Sequence, residues 1–146
     1  MKNLELGVDV AKVFAEYLRL ETTNVGGASV LYPIAGARVY CVDLPKHYTH
    51  TSAAVVVRVR DDTEISGTAV SRASFDLRCY GATADPDSAK LVALATRRQV
   101  RAASDEHCTS GIVMSASIEG GSGELIWTPK GVRPWIPVFA LSLIKP

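Results

Sequence analysis

Residues 73–80 alternate between apolar and polar side chains, and no other feature of the chain constrains the fold as much. In an extended strand, successive side chains point to opposite faces of the sheet. One face therefore receives the apolar set, Ala73, Phe75, Leu77 and Cys79. The other receives Ser74, Asp76, Arg78 and Tyr80. A slip of one residue would bury the polar set, so the pattern predicts a strand with one buried face.

A capped helix is predicted directly after this strand. Asp85 suits the N-cap position, Pro86 suits the first helical position, and Asp87 complements the helix dipole. Residues 88–103 then present a core-facing stripe, namely Ala89, Val92, Ala93, Val100 and Ala103. The spacing predicts an amphipathic helix that packs on the sheet.

A second amphipathic helix is predicted over residues 6–20. Its apolar stripe comprises Leu6, Val10, Val13, Tyr17 and Leu20, widened by Phe14 and Leu18. Its polar positions are Asp9, Lys12, Glu16 and Arg19, which we expect to point away from the core. The polar, glycine-containing run 22–27 ends this helix.

Further strands are predicted on either side of the capped helix. Residues 37–44 and 53–60 form two of them, with a turn at Asp61-Asp62. Residues 112–118 form another, followed by a glycine-rich break at 120–123 and a short strand at 125–127. The last strand covers 135–144, and Pro137 near its start indicates a sheet edge or a strand entrance.

This order of elements, α-β-β-β-α-β-β, predicts an α+β fold. Adjacent strands in blocks, with one helix between the blocks, are typical of a mostly antiparallel sheet with both helices on one face. At 146 residues, with no repeat or linker, the whole chain (1–146) is predicted to be a single domain.

The composition narrows the function classes. Sixteen basic residues balance 15 acidic ones, which gives no field typical of nucleic-acid binding. The longest apolar runs, such as 53–57, are too short to span a bilayer, so a soluble chain without a membrane partner is expected. The three cysteines, Cys41, Cys79 and Cys108, are widely spaced, and we expect reduced thiols.

No residue pattern predicts catalysis, a cofactor or a metal site. His47 and His50 lie three apart in a loop without a Cys-x-x-Cys pair, which does not match structural zinc sites. His107 and Cys108 are sequence neighbours, a spacing that usually directs the two side chains apart. We therefore expect a protein that is not an enzyme.

Arginines on the predicted strands and helix are the candidate interface residues, together with one tyrosine. They are Arg58, Arg60, Arg78, Tyr80, Arg97, Arg98 and Arg101. Arginine is enriched where proteins contact one another. The alternative is a solvated surface with ion pairs to Asp76, Asp61 or Glu64.

Two short phrases carry a resemblance to a known family. The first is Gly36-Ala37-Arg38-Val39-Tyr40 followed by Leu44-Pro45, and the second is Cys79-Tyr80-Gly81 before an alanine-rich helix. With the order of elements, they make the chain resemble the tail terminator (tail completion) proteins of long-tailed bacteriophages and related minor tail and neck proteins. The family's proline before the valine-rich strand is replaced here by Thr51-Ser52-Ala53.

The resemblance implies a structural virion protein that needs no cofactor. Family members form a six-fold ring on the tail tube, end tube polymerisation and offer a surface to the head-neck connector proteins. DNA passes through the lumen without specific binding. The implied location is the tail-neck junction of the virion, after assembly in the host cytoplasm.

Alternatives remain open within and outside this class. A head-tail stopper or connector, or a tail-tube subunit, is the nearer one. A nucleic-acid-binding module is the more distant one, since an aromatic ring beside an arginine, such as Tyr80 near Arg78, stacks on bases in other proteins.

Overall fold

The computed structural model of the protein contains a six-stranded mixed sheet with two helices packed on one face. The structure describes residues 8–45, 52–83, 85–120 and 134–146. Three helices occur in these ranges: α1 (Val10–Leu18), α2 (Tyr32–Ala35) and α3 (Pro86–Arg101). The strands are β1 (Thr22–Thr23), β2 (Gly27–Ala28), β3 (Val39–Cys41), β4 (Ala54–Glu64), β5 (Ser71–Tyr80), β6 (Ser104–His107), β7 (Ile112–Ile118) and β8 (Trp135–Lys145).

The main sheet has the order β3-β4-β5-β8-β7-β6. β3 pairs with β4 in parallel, and every other neighbour is antiparallel. The α+β class and the mostly antiparallel sheet are thereby confirmed. The small hairpin of β1 and β2 forms a separate two-stranded sheet, whose turn residue Asn24 is hydrogen-bonded to β6.

One apolar core lies between the sheet and the helices. The predicted inward set of β5 is completely buried there, and Phe14 of α1 stacks on Phe75 with ring centroids 4.4 Å apart. α3 buries Val92 and Val100 against the same face, so both predicted helices pack on one side.

Gly81 is the residue that lets β5 run directly into α3. A Cβ atom at this position would lie 2.0 Å from Ser88 Oγ and 2.5 Å from the backbone nitrogen of Ala89. Only glycine allows the strand end to approach the helix this closely. This contact gives a physical reason for the Tyr80-Gly81 pair that precedes the helix.

Several predicted boundaries are wrong. The helix predicted at 6–20 is Val10–Leu18 in the described part, and the strand predicted at 37–44 shrinks to Val39–Cys41. The predicted turn at Asp61-Asp62 is part of β4, and the chain reverses beyond Ile65, where Gly67 has φ +78°. The second part of β4, from Arg58 to Glu64, is exposed on both faces. Asp61 and Asp62 therefore remain in contact with water, and the strand accommodates them without the free-energy cost of burying a charge.

Of the two alternatives predicted from Pro137, the sheet edge is wrong, because β8 lies between β5 and β7 inside the sheet, and the strand entrance is confirmed, because β8 begins at Trp135. Pro137 pairs with Arg78 on one side, while the described pairing of β8 with β7 runs from Lys145 only as far as Ala140. The missing N–H of proline therefore removes no bond of the β7 ladder. The predicted strand at 125–127 and most of the glycine-rich break at 120–123 fall outside the described residues, as do the loop histidines His47 and His50.

Candidate functional site: the outer face of the sheet

The sheet face opposite α1 and α3, which we call the outer face, carries the candidate strand residues. The ladder places Arg78 beside Pro137, Asp76 beside Phe139, and Tyr80 beside Trp135. Because side chains alternate, all of these point away from the helical layer. No helix of the described ranges packs on this face, although Val56 and Tyr80 at one end of it are buried.

Two arginines on the outer face lie over aromatic rings. The guanidinium of Arg78 is 4.5 Å from the ring centroid of Trp135. That of Arg60 is 4.9 Å from the centroid of Phe139. Both distances lie within the range of cation–π attraction, which fixes the orientation of the two side chains. This arginine–aromatic cluster was missed at the sequence level because Trp135 and Phe139 are remote from these arginines along the chain.

Tyr80 is a core residue and not a surface platform. It retains 3% exposure in a small apolar cluster with Ala54 and Val56, and its ring lies 6.2 Å from that of Trp135. Burial raises the pKa of its hydroxyl above the ordinary value, while Arg78 acts in the opposite direction. The prediction that Tyr80 could stack on nucleic-acid bases is therefore wrong, since its ring faces are already covered.

Ion pairs to strand acids do not hold these arginines within the described residues. Arg58 lies opposite Asp76 in the ladder, yet the salt bridge found in the described ranges is an exposed one of 3.7 Å between Lys90 and Asp87. The alternative of ion pairs between the strand arginines and Asp76, Asp61 or Glu64 is therefore wrong for these ranges. Arg60 and Arg78 stack on rings, and Arg58 stays exposed.

Buried polar atoms on the outer face lack partners. Asp76 Oδ1, Arg78 Nε and Glu119 Oε1 are inaccessible to solvent and accept or donate no hydrogen bond in the structure as described. An unsatisfied buried polar group costs about 1–3 kcal/mol. Three such atoms make the outer face less stable than one in which every buried polar atom is hydrogen-bonded.

The helix arginines lie on the other side of the molecule. Arg97 is half-buried, and its Nη1 is a buried donor without a partner in the described structure. Arg98 and Arg101 are exposed. The structure therefore does not bring the seven candidate residues into one site: the strand set and the helix set occupy opposite faces.

Two exposed leucines accompany the helix arginines. Leu91 and Leu94 are 56% and 58% exposed on α3. The predicted core positions Ala89, Val92, Ala93 and Val100 are buried, whereas Ala103 lies beyond the end of the helix. The two leucines were not predicted to form a surface. The signal was present, because apolar residues outside the buried stripe of a helix mark a possible contact surface.

The cysteines do not show nucleophilic activation. All three are free; Cys79 is buried as predicted, and burial raises its pKa to about 12. Burial, with the nearby charges of Glu16 and Glu106, raises the pKa of Cys108 to about 11. A catalytic thiol needs a lowered pKa, so the His107–Cys108 neighbourhood lacks the required electrostatics.

A shallow cleft lies beside Cys108. It has a volume of about 260 Å³, and Glu16, Arg19 and His107 line it. Glu16 is already engaged, because it accepts hydrogen bonds from the backbone nitrogen and the hydroxyl of Ser110 at 2.8 and 2.7 Å.

In the portions of the chain with described coordinates, no group of three metal-ligating side chains occurs, and no helix has the length and apolarity to cross a membrane.

Comparison with known proteins gives a match at the level of structure alone. No protein-family profile matches the chain, and no curated protein sequence matches it. A solved chain from the "Virion of native gene transfer agent (GTA) particle" superposes with a TM-score of 0.63. The two chains share a fold. The match covers 97% of this chain and 99% of that one at 18% sequence identity.

Proposed function

We propose that this chain is a structural protein of a phage-like particle. The observation that carries the proposal is the superposition on a chain of a gene transfer agent virion, which extends over nearly the full length of both chains. The raised pKa values of Cys79 and Cys108 support a role without covalent catalysis.

Within that class, the proposed role is that of a tail terminator. The chain would form a six-fold ring on the end of the tail tube, stop tube polymerisation and present a surface to the head-neck connector proteins. The resemblance of its element order and of the phrases around Val39 and Gly81 supports this role. A ring requires a heterologous contact between two different surfaces of one subunit, and the number of copies follows from the rotation per contact.

The outer face and the outward side of α3 supply two such surfaces. Arg58, Arg60 and Arg78 lie on the first, and Arg98 and Arg101 on the second. The proposed partners are other copies of this chain, the tail-tube protein and the connector proteins at the tail-neck junction. DNA would pass through the lumen without specific contacts, in agreement with the net charge of +1.

Imaging of the purified chain, alone and with tail tubes, tests this role. A terminator gives rings or monomers alone and one ring on the tube end. A tail-tube subunit gives long filaments instead, and a head-tail stopper or connector binds the portal side and leaves tube growth unchanged. Salt-sensitive DNA retention without rings would favour a nucleic-acid-binding module.

A further inference from the structure

Residues 21–30, which we call the strap, connect α1 to α2 and contain the hairpin of β1 and β2. Within the described ranges the strap adds no side chain to the hydrophobic core, although Leu20 before it and Leu31 after it both contact that core. Its two buried residues, Thr23 and Ser29, are polar. Polar contacts, and not apolar packing, therefore attach the strap to the rest of the domain.

The first attachment joins Asn24 of the strap to Glu106 of β6. Glu106 is buried, and its two carboxylate oxygens accept hydrogen bonds from the backbone nitrogen of Asn24 at 3.0 and 3.2 Å. In return, Nδ2 of Asn24 donates to the carbonyl oxygens of Ser104 and Asp105 at 2.9 and 2.7 Å. One strap residue thus makes reciprocal hydrogen bonds with one strand.

The second attachment joins Ser29 of the strap to Gln99 of α3. The Ser29 hydroxyl donates to Oε1 of Gln99 at 2.9 Å and accepts from the backbone nitrogens of Leu31 and Tyr32. Gln99 is buried, and its Nε2 has no hydrogen-bond partner among the described residues. This attachment is therefore weaker than one in which every polar atom is paired.

Such an attachment favours local opening. A segment with few buried apolar contacts separates from its domain at a lower free energy than global unfolding requires. A two-stranded hairpin is not stable by itself, so the strap loses its own ladder when it leaves the domain. The core contacts of Leu20 and Leu31 remain, and they confine the movement to the strap.

The strap covers part of the outermost strand of the main sheet. β6 is the last strand in the sheet order, and an outermost strand presents backbone groups that can pair with another chain. In the closed arrangement Asn24 occupies the carbonyl oxygens of Ser104 and Asp105. Departure of the strap would free both oxygens.

We propose that residues 21–30 detach as one unit from α3 and β6 while the rest of the domain stays folded. The strap thereby controls access to the backbone of β6. This inference goes beyond the terminator role and does not depend on it.

Native-state hydrogen exchange of the purified full chain tests the proposal. The amides of Asn24 and Ser29, which donate to Glu106 and to the carbonyl oxygen of Glu21, are expected to exchange at least about a hundredfold faster than that of Leu77 in β5. Glu106→Gln keeps the shape but replaces one acceptor oxygen with a donor, so it should accelerate both strap amides about tenfold and leave Leu77 unchanged. Glu64→Gln, at an exposed position of β4, is the matched control and should change neither rate.

A disulfide lock provides the second variant. A Cβ atom at Gly26 would lie 3.2 Å from Cβ of Ala102 after α3, close to the separation of about 3.5–4.5 Å in disulfides. Thr23 Oγ1, 2.9 Å from the same position, would have to rotate away. Gly26→Cys with Ala102→Cys is made in a chain with Cys41→Ser and Cys108→Ser, since Cys79 is buried. Oxidation should slow exchange of the strap amides at least about tenfold, and reduction should reverse it.

Three results would overturn the proposal. The first is equal exchange of the strap amides and Leu77, the second is a different response of Asn24 and Ser29 to Glu106→Gln, and the third is equal exchange in the oxidised and reduced chains. The comparison of oxidised with reduced protein decides the question even if Glu106→Gln does not fold. None of these results changes the number of copies at the tail end, so the terminator role is tested separately.

Discussion

Replacement of Arg78 by methionine tests whether stacking on Trp135 organises the outer face. Methionine keeps much of the aliphatic length but removes the charge that lies 4.5 Å from the indole centroid. Cation–π pairs contribute about 0.5–1 kcal/mol when exposed and about 2 kcal/mol when desolvated. Arg78 is half-buried, which places the contribution of the ring contact at about 1 kcal/mol. The single variant also removes the buried Nε that lacks a hydrogen bond, which offsets this loss, so the coupling free energy of the pair measures the contact and the change in the single variant does not.

A double-mutant cycle isolates the pair. Urea unfolding of Arg78→Met, Trp135→Leu and the double variant is expected to give a coupling free energy of about 1 kcal/mol. Arg58→Met is the matched control, because Arg58 is exposed and has no ring contact in the described ranges; it should change stability by less than about 0.5 kcal/mol. A coupling below about 0.3 kcal/mol would refute the stacking argument.

Charge reversal at the same site extends the test to assembly. Arg78→Glu places a carboxylate over the face of Trp135, which the ring quadrupole repels. We expect a folded but less stable chain and particles with irregular tails or unattached heads. Normal assembly of Arg58→Glu, Arg60→Glu and Arg78→Glu would assign all three arginines to plain solvated surface.

Three further predictions concern the core and the thiols. Gly81→Ala should lower stability by about 1–3 kcal/mol in thermal unfolding, and adding Ser88→Ala should recover only part, since the Ala89 nitrogen remains 2.5 Å away. Cys79 should react slowly with thiol reagents in the native chain and rapidly in urea; fast native labelling would contradict its burial. In the folded chain the pKa is about 12 for Cys79 and about 11 for Cys108, against an ordinary value of 9.0. The free energy of unfolding should therefore be unaffected by these thiols below pH 9 and should fall as the pH rises toward 11, because the unfolded chain loses the thiol protons first. Cys79→Ala and Cys108→Ala should each make this fall shallower.

Local chemistry made part of the fold predictable from sequence. Asp85 accepts a hydrogen bond from the Asp87 nitrogen at 2.9 Å and begins α3 where the capping pattern placed its start. The alternation in β5 identified its buried face, and β7 has the predicted bounds, Ile112–Ile118. These features depend on neighbours within one helical turn or one strand.

Long-range contacts account for the elements that the sequence did not reveal. β6 is polar, and the buried carboxylate of Glu106 accepts hydrogen bonds from the nitrogens of Ser104 and of Asn24, 82 residues away. β3 likewise contacts a remote side chain, since Arg19 donates a hydrogen bond to the carbonyl oxygen of Val39. No periodicity encodes such partners, so β6 and the parallel pairing of β3 were missed.

The candidate site also combines features that the local sequence indicates with features that depend on long-range contacts. Sequence composition selected arginines as interface residues, and the structure places Arg60 and Arg78 on aromatic rings. The registers that bring Trp135 and Phe139 to this face depend on the pairing of β5 with β8, which lie on opposite sides of α3 in the chain.

The number of copies per particle, with their position, tests the central claim most directly. Quantitative mass spectrometry of purified particles, combined with electron microscopy of tails labelled on this chain, measures both. The account predicts about six copies, all at the head-proximal end of the tail, as one closed ring requires. A copy number that rises with tail length, label along the whole tube, or absence of the chain from the particles would contradict it.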